Sequence, residues 1–278
     1  MHLGRDRVIG AFELDDGLIV DPGPASCRHA LLDGLEAEPR ALLLTHVHLD
    51  HAGGTGVLVR CFPRLRVYVH EVGAPHLVSP EKLLASARRL YGDDMERLWG
   101  EVAPVPEGNV QALRGGETVE GLRVAYTPGH ASHHVAYFHA ERGDAYVGDV
   151  AGVRIPPGEF TIMPTPPPDI DLPAWETSLD AIAEWRPARL CLTHFGSVSE
   201  VDEQLERASA RLREAARSAR AGDREAFLSS LDAEIAENVD TDEATRFRQA
   251  APPEQLWLGL ERYWRRRAET APFAPPGC

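Results

Sequence analysis

Four side chains that can bind a metal ion lie within six positions of one another, at His46, His48, Asp50 and His51. They come directly after residues 41–44, an apolar run typical of a buried strand. Imidazole and carboxylate groups are good ligands for zinc, iron or manganese. On a loop at the end of a strand all four side chains can converge. This cluster therefore predicts a metal site at a strand end and constrains the fold more than any other feature.

Three more candidate ligands each follow a predicted strand. His130 comes after Pro-Gly, Asp149 comes after a short strand that ends in glycine, and His194 ends the apolar run 190–193. Together with the first cluster they supply five histidines and two aspartates. That number of ligands is enough for two metal ions with an open coordination position on each.

The order Thr-His-Val-His-Leu-Asp-His, Pro-Gly-His, Gly-Asp and Thr-His-Phe-Gly resembles the metallo-β-lactamase-fold superfamily. The similarity is strongest to its glyoxalase II-like hydrolases and covers about residues 8–200. The resemblance implies an α/β fold, specifically a four-layer αββα sandwich with a dinuclear site at the rim of its sheets. We expect a metal hydrolase domain over residues 1–220 and a helical C-terminal extension over 221–278.

The resemblance also implies a role for each candidate ligand. The first metal ion would be held by His46, His48 and His130, and the second by Asp50, His51 and His194. Asp149 would bridge the two ions. Asp21, in Val-Asp-Pro-Gly, matches a position that supports the site from below; the alternative is an aspartate that caps a turn.

A hydrolytic mechanism follows from such a ligand set. Two divalent ions about 3.5 Å apart can hold a bridging water and lower its pKa to near neutral, so that hydroxide attacks a carbonyl or phosphorus centre. Zinc is the expected metal, with iron or manganese as alternatives. Asp50 is the candidate catalytic residue, because a metal-bound carboxylate facing the hydroxide can shuttle its proton.

The expected substrate is a small thioester, ester or lactone. The chain carries 29 Lys+Arg against 43 Asp+Glu, and this net charge of −14 counts against nucleic acid or another long polyanion as partner. A phosphodiesterase or ribonuclease of the same superfamily is the alternative, and a non-catalytic metal-binding interaction protein is a further one. No basic cluster of the kind expected for binding glutathione carboxylates is found near the C-terminus, which argues against a glutathione thioester.

Two segments outside the predicted sandwich are candidates for substrate selection. The first is a helical insertion over 77–110 whose apolar and aromatic side chains could form a lid: Leu90, Tyr91, Leu98 and Trp99. The second is the proline-rich loop 153–173, from which Arg154 and Phe160 are expected either to support the metal ligands or to contact substrate. His133 and His134 are expected to orient His130 or to touch substrate.

The remaining expectations concern the C-terminal helices and the cellular location. Amphipathic patterns predict helices over 200–220, 223–238 and 254–268, and the last of these offers an apolar surface for a possible homodimer: Leu256, Leu258, Leu260 and Tyr263. Residues 1–20 lack the pattern of a signal peptide, and no apolar run is long enough to span a membrane. The four cysteines are far apart and are expected to be mostly buried free thiols, which favours a cytoplasmic location.

Overall fold

The computed structural model describes residues 2–270, and its strands form two main sheets. The first sheet has five strands in the order of the chain: β1 (Phe12–Leu14), β2 (Leu18–Val20), β3 (Ala41–Leu43), β4 (Arg66–His70) and β5 (Val110–Leu113). β1 and β2 form an antiparallel hairpin. β2 to β5 run parallel, so the carboxyl ends of β2 and β3 lie at one edge of the sheet.

The second sheet has six strands. In the order in which they pair, these are β13 (Gly196–Val198), β12 (Arg189–Leu192), β9 (Asp144–Gly148), β8 (Val135–His139), β7 (Leu122–Tyr126) and β6 (Thr118–Val119). β9 and β12 are parallel neighbours, which brings the residues after both strands together. A separate two-stranded ribbon comprises β10 (Val153–Arg154) and β11 (Thr161–Ile162).

The two sheets pack face to face through alternating apolar side chains. Leu43 and Tyr68 of the first sheet meet Val124, Tyr137 and Tyr146 of the second in one buried cluster. Tyr137 is fully buried, and its hydroxyl donates to the backbone oxygen of Leu44 at 2.9 Å. This hydrogen bond satisfies the phenol within an apolar core and holds the sheets together just before the ligand motif.

Helices cover the outer face of the first sheet. The apolar side chains of Leu42 and Val67 pack there against three short helices: α1 (Arg28–Gly34), α3 (Thr55–Cys61) and α4 (Ala74–Val78). A four-residue helix, α2 (Leu49–Ala52), carries two of the predicted ligands. The predicted helical insertion forms α5 (Glu81–Tyr91) and α6 (Met95–Trp99), which pack on Leu49 rather than on the sheet.

The outer face of the second sheet is covered by the remaining helices. These are α7 (Leu172–Glu184), α8 (Val201–Arg220), α9 (Arg224–Asn238), α10 (Thr241–Ala250) and α11 (Pro253–Thr270). The four layers confirm the predicted αββα sandwich with C-terminal helices. Helices α8, α9 and α11 match the predicted ranges 200–220, 223–238 and 254–268 closely, whereas α10 was not predicted. Phe227 of α9, Phe247 of α10 and Leu260 of α11 share one buried cluster with Val147 of the second sheet.

Leu256 and Leu260 are buried within the chain, at 3% and 0% exposure, so they are not available to a dimer interface. Leu258 remains exposed at 39%.

Cys27, Cys61 and Cys191 form no disulfide, but only Cys191 is buried, which corrects the expectation of mostly buried thiols. Cys278 lies outside the described residues.

Among residues 2–270, every helix is too short or too polar to cross a bilayer.

Candidate metal centre

Three histidines from two loops converge on one point. His46 and His48 lie in the loop between β3 and α2, and His130 lies between β7 and β8. His46 Nε2 is 2.9 Å from His48 Nδ1, and His130 Nε2 is 3.0 Å from the same His48 atom. His46 and His130 are almost completely buried. The structure thus brings together the three residues predicted to hold the first metal ion.

The predicted ligands of a second ion also lie together. Asp50 and His51 are on α2, and His194 follows β12. Asp50 Oδ2 is 3.3 Å from His194 Nε2 and 3.9 Å from His51 Nε2. His51 and His194 are buried, whereas the Asp50 side chain is 22% exposed. Asp50 is therefore the ligand of this group that has access to solvent or to a bound molecule.

Asp149 follows β9 directly and lies between the two groups. Its Oδ1 is 3.2 Å from His51 Nε2 and 3.5 Å from His194 Nε2. Its Oδ2 is 3.4 Å from His130 Nε2, in the other group. Each carboxylate oxygen thus faces a different set of histidines, which is the arrangement expected of a bridging ligand.

Hydrogen bonding gives an independent test of whether these residues fit a metal ion. The atoms that face the centre of the cluster can be compared with the ring nitrogens that face away from it. His51 Nε2, His194 Nε2 and Asp149 Oδ1 are buried and have no hydrogen-bond partner within the described residues. Two ring nitrogens that face away from the centre do have partners. Nδ1 of His130 donates to the Pro164 carbonyl at 2.8 Å, and Nδ1 of His194 donates to the Val8 carbonyl at 2.5 Å. Each bond leaves the lone pair of the inner nitrogen directed at the cluster. Buried polar atoms are rarely left unpaired, so a cation is the partner that this set of atoms fits.

Asp21 directly follows β2 and lies against the predicted ligands, where the resemblance expects a residue that supports the site. Its side chain is fully buried, and its Oδ2 accepts hydrogen bonds from His51 Nδ1 at 2.8 Å, Thr45 Oγ1 at 2.7 Å and Thr193 Oγ1 at 3.0 Å. Thr45 Oγ1 in turn lies 3.0 Å from His46 Nδ1. The two threonines were not among the predicted site residues. Their signal was present, because each immediately precedes a ligand histidine at a strand end.

The histidine pKa values shift in opposite directions in the two ligand groups: they fall at His46 and His48 and rise at His51. Burial lowers the pKa of His46 well below its usual value, and it lowers the pKa of His48 to about 3. Burial also favours a lower pKa at His51. The negative charges of nearby carboxylates, of which Asp149 contributes most, outweigh burial and raise the His51 pKa well above its usual value. Burial favours the neutral form of Asp149, but the charge of His51 prevails and lowers the Asp149 pKa. The aspartates therefore stay ionised and available to a cation.

A cavity of about 290 Å³ opens directly beside the ligands His48, Asp50 and Asp149. The predicted lid residues line it: Leu90, Tyr91, Leu98 and Trp99. Two further lining residues were not predicted: His2, which stacks on Trp99 at 5.4 Å, and Gln255 of α11. The Tyr91 hydroxyl donates to Gln255 Oε1 at 3.2 Å and joins α5 to α11 across the cavity.

Arg154 and Phe160 do not line this cavity, which speaks against the substrate-contact alternative for both residues. The Arg154 side chain is buried, and its Nε donates to the Gly158 carbonyl at 2.8 Å. Phe160 packs edge-on against Phe247 of α10 at 5.2 Å. The β10–β11 ribbon turns these side chains toward the C-terminal helices. The Arg154 backbone bonds to the loop that carries His194: its N–H donates to the His194 carbonyl at 2.8 Å, and its carbonyl accepts from the Phe195 N–H at 3.0 Å.

His133 and His134 lie close to the ligands but do not line the cavity. The His133 ring stacks on the His46 ring at 6.1 Å, and its Nδ1 faces the backbone N–H of Val47 at 3.4 Å. His134 is fully buried, its Nδ1 is 2.8 Å from Thr127 Oγ1, and its ring is 6.1 Å from that of His130. Their positions correspond to packing around the ligand rings rather than to contact with a substrate.

The fold and the ligand geometry agree with comparisons of the sequence. A model of the metallo-beta-lactamase superfamily matches residues 13–194. The chain belongs to this superfamily. The matched segment includes all seven predicted ligands, from the first sheet to the end of β12.

Curated relatives match over part of their length. Metallo-beta-lactamase fold-containing protein ST1585 of Sulfurisphaera tokodaii is 30% identical over 165 residues, which are 57% of this chain and 61% of that protein. A hydroxyacylglutathione hydrolase of Synechococcus sp. strain JA-2-3B'a(2-13) is 33% identical over 135 residues, or 47% of this chain and 42% of that enzyme. The chain therefore spans less than two thirds of the length of these relatives.

Solved structures share the fold over more of the chain. ST1585 from Sulfolobus tokodaii has a TM-score of 0.63 at 22% identity and covers 87% of each chain. TTHA1429 from Thermus thermophilus has a TM-score of 0.62 at 23% identity, over 96% of this chain and 90% of that one. TTHA1623, solved in a di-iron-bound form, has a TM-score of 0.53 at 27% identity, over 71% of this chain and 90% of that one.

Proposed function

We propose that this member of the superfamily is a hydrolase that uses two divalent metal ions, with zinc as the expected metal, to cleave a small thioester, ester or lactone. The observation that carries the proposal is the position of Asp149, whose two carboxylate oxygens face different groups of histidines. A bridging ligand of this kind favours two adjacent ions over one. The di-iron form of the related TTHA1623 supports the same number.

The ligand groups divide naturally between two ions. His46, His48 and His130 would hold one ion, Asp50, His51 and His194 would hold the other, and Asp149 would contact both. When bound, two divalent ions supply Lewis acidity toward a carbonyl oxygen and make a water molecule nucleophilic at neutral pH. The protein's contribution is to hold the ligands in position from beneath, through Asp21 and the carbonyl oxygens of Pro164 and Val8.

Asp50 is the residue to which we assign proton transfer. Burial alone would raise its pKa, but the charges of His51 and His194 lower it, so that its carboxylate is ionised at neutral pH. Its side chain is partly exposed and lines the cavity. A carboxylate oxygen of Asp50 can therefore accept a proton from the attacking water and return it to the leaving group.

The cavity supports a small organic substrate over a polymer. Its walls are mainly apolar side chains, and no lysine or arginine among residues 2–270 lines it. A nucleic acid would need such cations along its path. We accordingly expect a small-molecule substrate and neither a nucleic-acid nor a membrane partner. A homodimer remains a proposal, with Leu258 as the exposed leucine of the predicted interface.

The test is a hydrolase panel run on protein whose metal content has been measured. We expect about two ions per chain, turnover of generic thioesters, esters or lactones, and loss of turnover on chelation. His194→Ala should lower kcat/KM by about a hundredfold or more, because it removes a metal ligand. His29→Ala, at an exposed histidine of α1, is the matched control and should leave activity unchanged.

Two outcomes would contradict the proposal. Cleavage of RNA or a phosphodiester alone, abolished by His48→Ala, would identify a phosphodiesterase. Full occupancy by metal with no turnover of any ester, thioester, lactone or phosphodiester would identify a metal-binding protein without hydrolase activity.

A further inference from the structure

The cavity beside the ligand cluster has few charged side chains outside the ligands themselves. Its ionisable side chains are His2, Tyr91 and the ligands themselves, His48, Asp50 and Asp149; within the described residues it is lined by no permanent cation. An anionic group bound beyond the metal centre would lose its hydration without gaining a counter-charge, which is costly. The cavity therefore selects against substrates that carry a second negative charge away from the reacting bond.

The walls are apolar on both sides. One side is formed by α5 and α6, with Leu83, Ala87, Leu90, Leu98 and Trp99. The other side comprises prolines 164 and 166–168 and the corner between α10 and α11, with Ala250, Ala251, Pro252 and Leu256. Binding of a hydrocarbon group between such walls is favourable, because it removes apolar surface from water.

Helix α5 determines how far this apolar space extends. Positions 83, 87, 90 and 91 recur at spacings of three and four, so they share one face of the helix, and all four line the cavity. Ala87 is the smallest of them and is 7% exposed. A longer side chain at position 87 would extend into the cavity, whereas truncation of Leu90 would enlarge it.

We propose that this cavity binds an uncharged, apolar acyl group of the substrate and that Ala87 leaves the space for the far end of that group. The assignment rests on the proposed hydrolase function, because it describes one half of that enzyme's substrate. Tyr91 and Gln255, hydrogen-bonded to each other, close the cavity between α5 and α11. The C-terminal helices are thus part of the substrate site.

Binding can be measured without turnover. The metal-loaded protein is titrated calorimetrically with linear primary amides from butanamide to decanamide and with the same amides carrying a terminal carboxylate. We expect affinity to rise about fourfold per methylene until the cavity is filled. We expect the terminal carboxylate to weaken binding by about tenfold or more. Equal binding of the charged and neutral series, or no dependence on chain length, would overturn the assignment.

Variants on α5 test the role of Ala87. Ala87→Leu should shift the optimum toward shorter amides, and Leu90→Ala should shift it toward longer ones. Ala85→Leu, on the exposed face of the same helix, is the matched control and should leave the optimum unchanged. If Ala87→Leu does not fold, Leu90→Ala still decides the question, because an optimum identical to that of the control would contradict the assignment.

The two proposals fail in different ways. If neutral amides bind as expected but no ester, thioester or lactone is cleaved, the cavity assignment is supported and the hydrolase function is refuted. If esters are cleaved at rates independent of acyl length and charge, the hydrolase function is supported and the cavity assignment is refuted.

Discussion

Asp21 accepts four hydrogen bonds, and their donors belong to two ligand-bearing segments, residues 45–51 and the loop after β12. The backbone N–H and hydroxyl of Thr45, the imidazole of His51 and the hydroxyl of Thr193 all bond to its carboxylate. Asp21 also adopts a positive φ of 49°, an unusual conformation that is maintained by these surrounding contacts. One buried carboxylate therefore fixes the relative positions of segments that are far apart in sequence.

Asp21→Asn should weaken metal binding by about 10- to 100-fold, because an amide cannot accept every one of these hydrogen bonds. Competition with a chelator of known affinity measures the effect on the metal-free protein. Asp33→Asn, at an exposed position of α1, serves as the control. Unchanged affinity in Asp21→Asn would show that the ligands are positioned without this residue.

Glu120 is a second carboxylate with several partners. It lies near the start of β3 and β4, at the end of these strands away from the ligands. It lies in the turn after β6, is 10% exposed, and binds Arg40, Arg66 and the Tyr68 hydroxyl at 2.7 to 2.8 Å. Burial favours its neutral form, but the hydrogen bonds from Tyr68 and Arg40 outweigh burial and lower its pKa. Because the pKa is lower in the folded state, the ionised form stabilises the fold above the unfolded pKa of about 4.3.

Glu120→Gln should therefore reduce the free energy of unfolding by about 2 kcal/mol at neutral pH. The difference from the unmodified chain should shrink as pH falls below about 4, since protonation then removes the same charge. Urea unfolding at a series of pH values measures this. The exposed Glu206→Gln is the control, and a difference that persists at low pH would contradict the role given to the charge.

At the scale of elements, Gly129 shows why the Pro-Gly-His motif needs its glycine. Its φ is 133°, and a Cβ at this position would lie 2.3 Å from the Cα of Trp175 on α7. The Gly129 carbonyl also accepts from the Asp171 N–H at 2.9 Å. The start of α7 thus passes directly over the loop and fixes the position of His130.

Gly129→Ala should destabilise the protein by about 3 kcal/mol or more, because the new methyl group meets backbone rather than a side chain that can move. It should also weaken metal binding by displacing His130. Gly34→Ala at the end of α1, where a Cβ meets nothing within 4 Å, is the matched control and should be close to neutral. Thermal unfolding with and without metal separates the two effects.

The sequence could predict the elements that carry strong local patterns. The amphipathic helices predicted over 200–220 and 223–238 agree with α8 and α9 within about one residue at each end. Helix α10 was missed although Asp240 caps it by accepting from the N–H of Glu243 at 2.8 Å, a signal present in the sequence. Arg154 was expected near the site, but its side chain bonds to the Gly158 carbonyl and to Gln204 of α8, contacts that no local sequence pattern indicates.

The wall of the cavity lay beyond sequence reasoning for a different reason. His2 and Gln255 are separated by most of the chain, and the hydrogen bonds from Gln249 to His2 bring the two ends together. No local pattern encodes such an encounter. The ligand cluster was accessible because its members follow strands whose ends meet at one edge, which is a property of the fold rather than of any single segment.

At the scale of the whole molecule, the C-terminal helices and the sandwich share one core. Phe247 of α10 is 1% exposed and belongs to the same buried cluster as Trp175 of α7 and Val147 of β9. Gly259 of α11 lies so close to Thr165 that a Cβ would be 1.9 Å from its carbonyl oxygen. We therefore expect residues 2–270 to unfold as one cooperative unit and not as two domains that separate near residue 220.

Phe247→Ala tests this expectation. Its cavity in the shared core should lower the free energy of unfolding by about 3 to 5 kcal/mol, in a single transition seen alike by tryptophan fluorescence and far-ultraviolet circular dichroism. The five tryptophans lie in both parts of the chain, so fluorescence reports on each. Leu258→Ala, at 39% exposure on α11, is the control and should change the free energy by less than about 0.5 kcal/mol. An early loss of helix, with the fluorescence of the sandwich retained, would mean that the C-terminal helices fold separately from the sandwich and only contact the site.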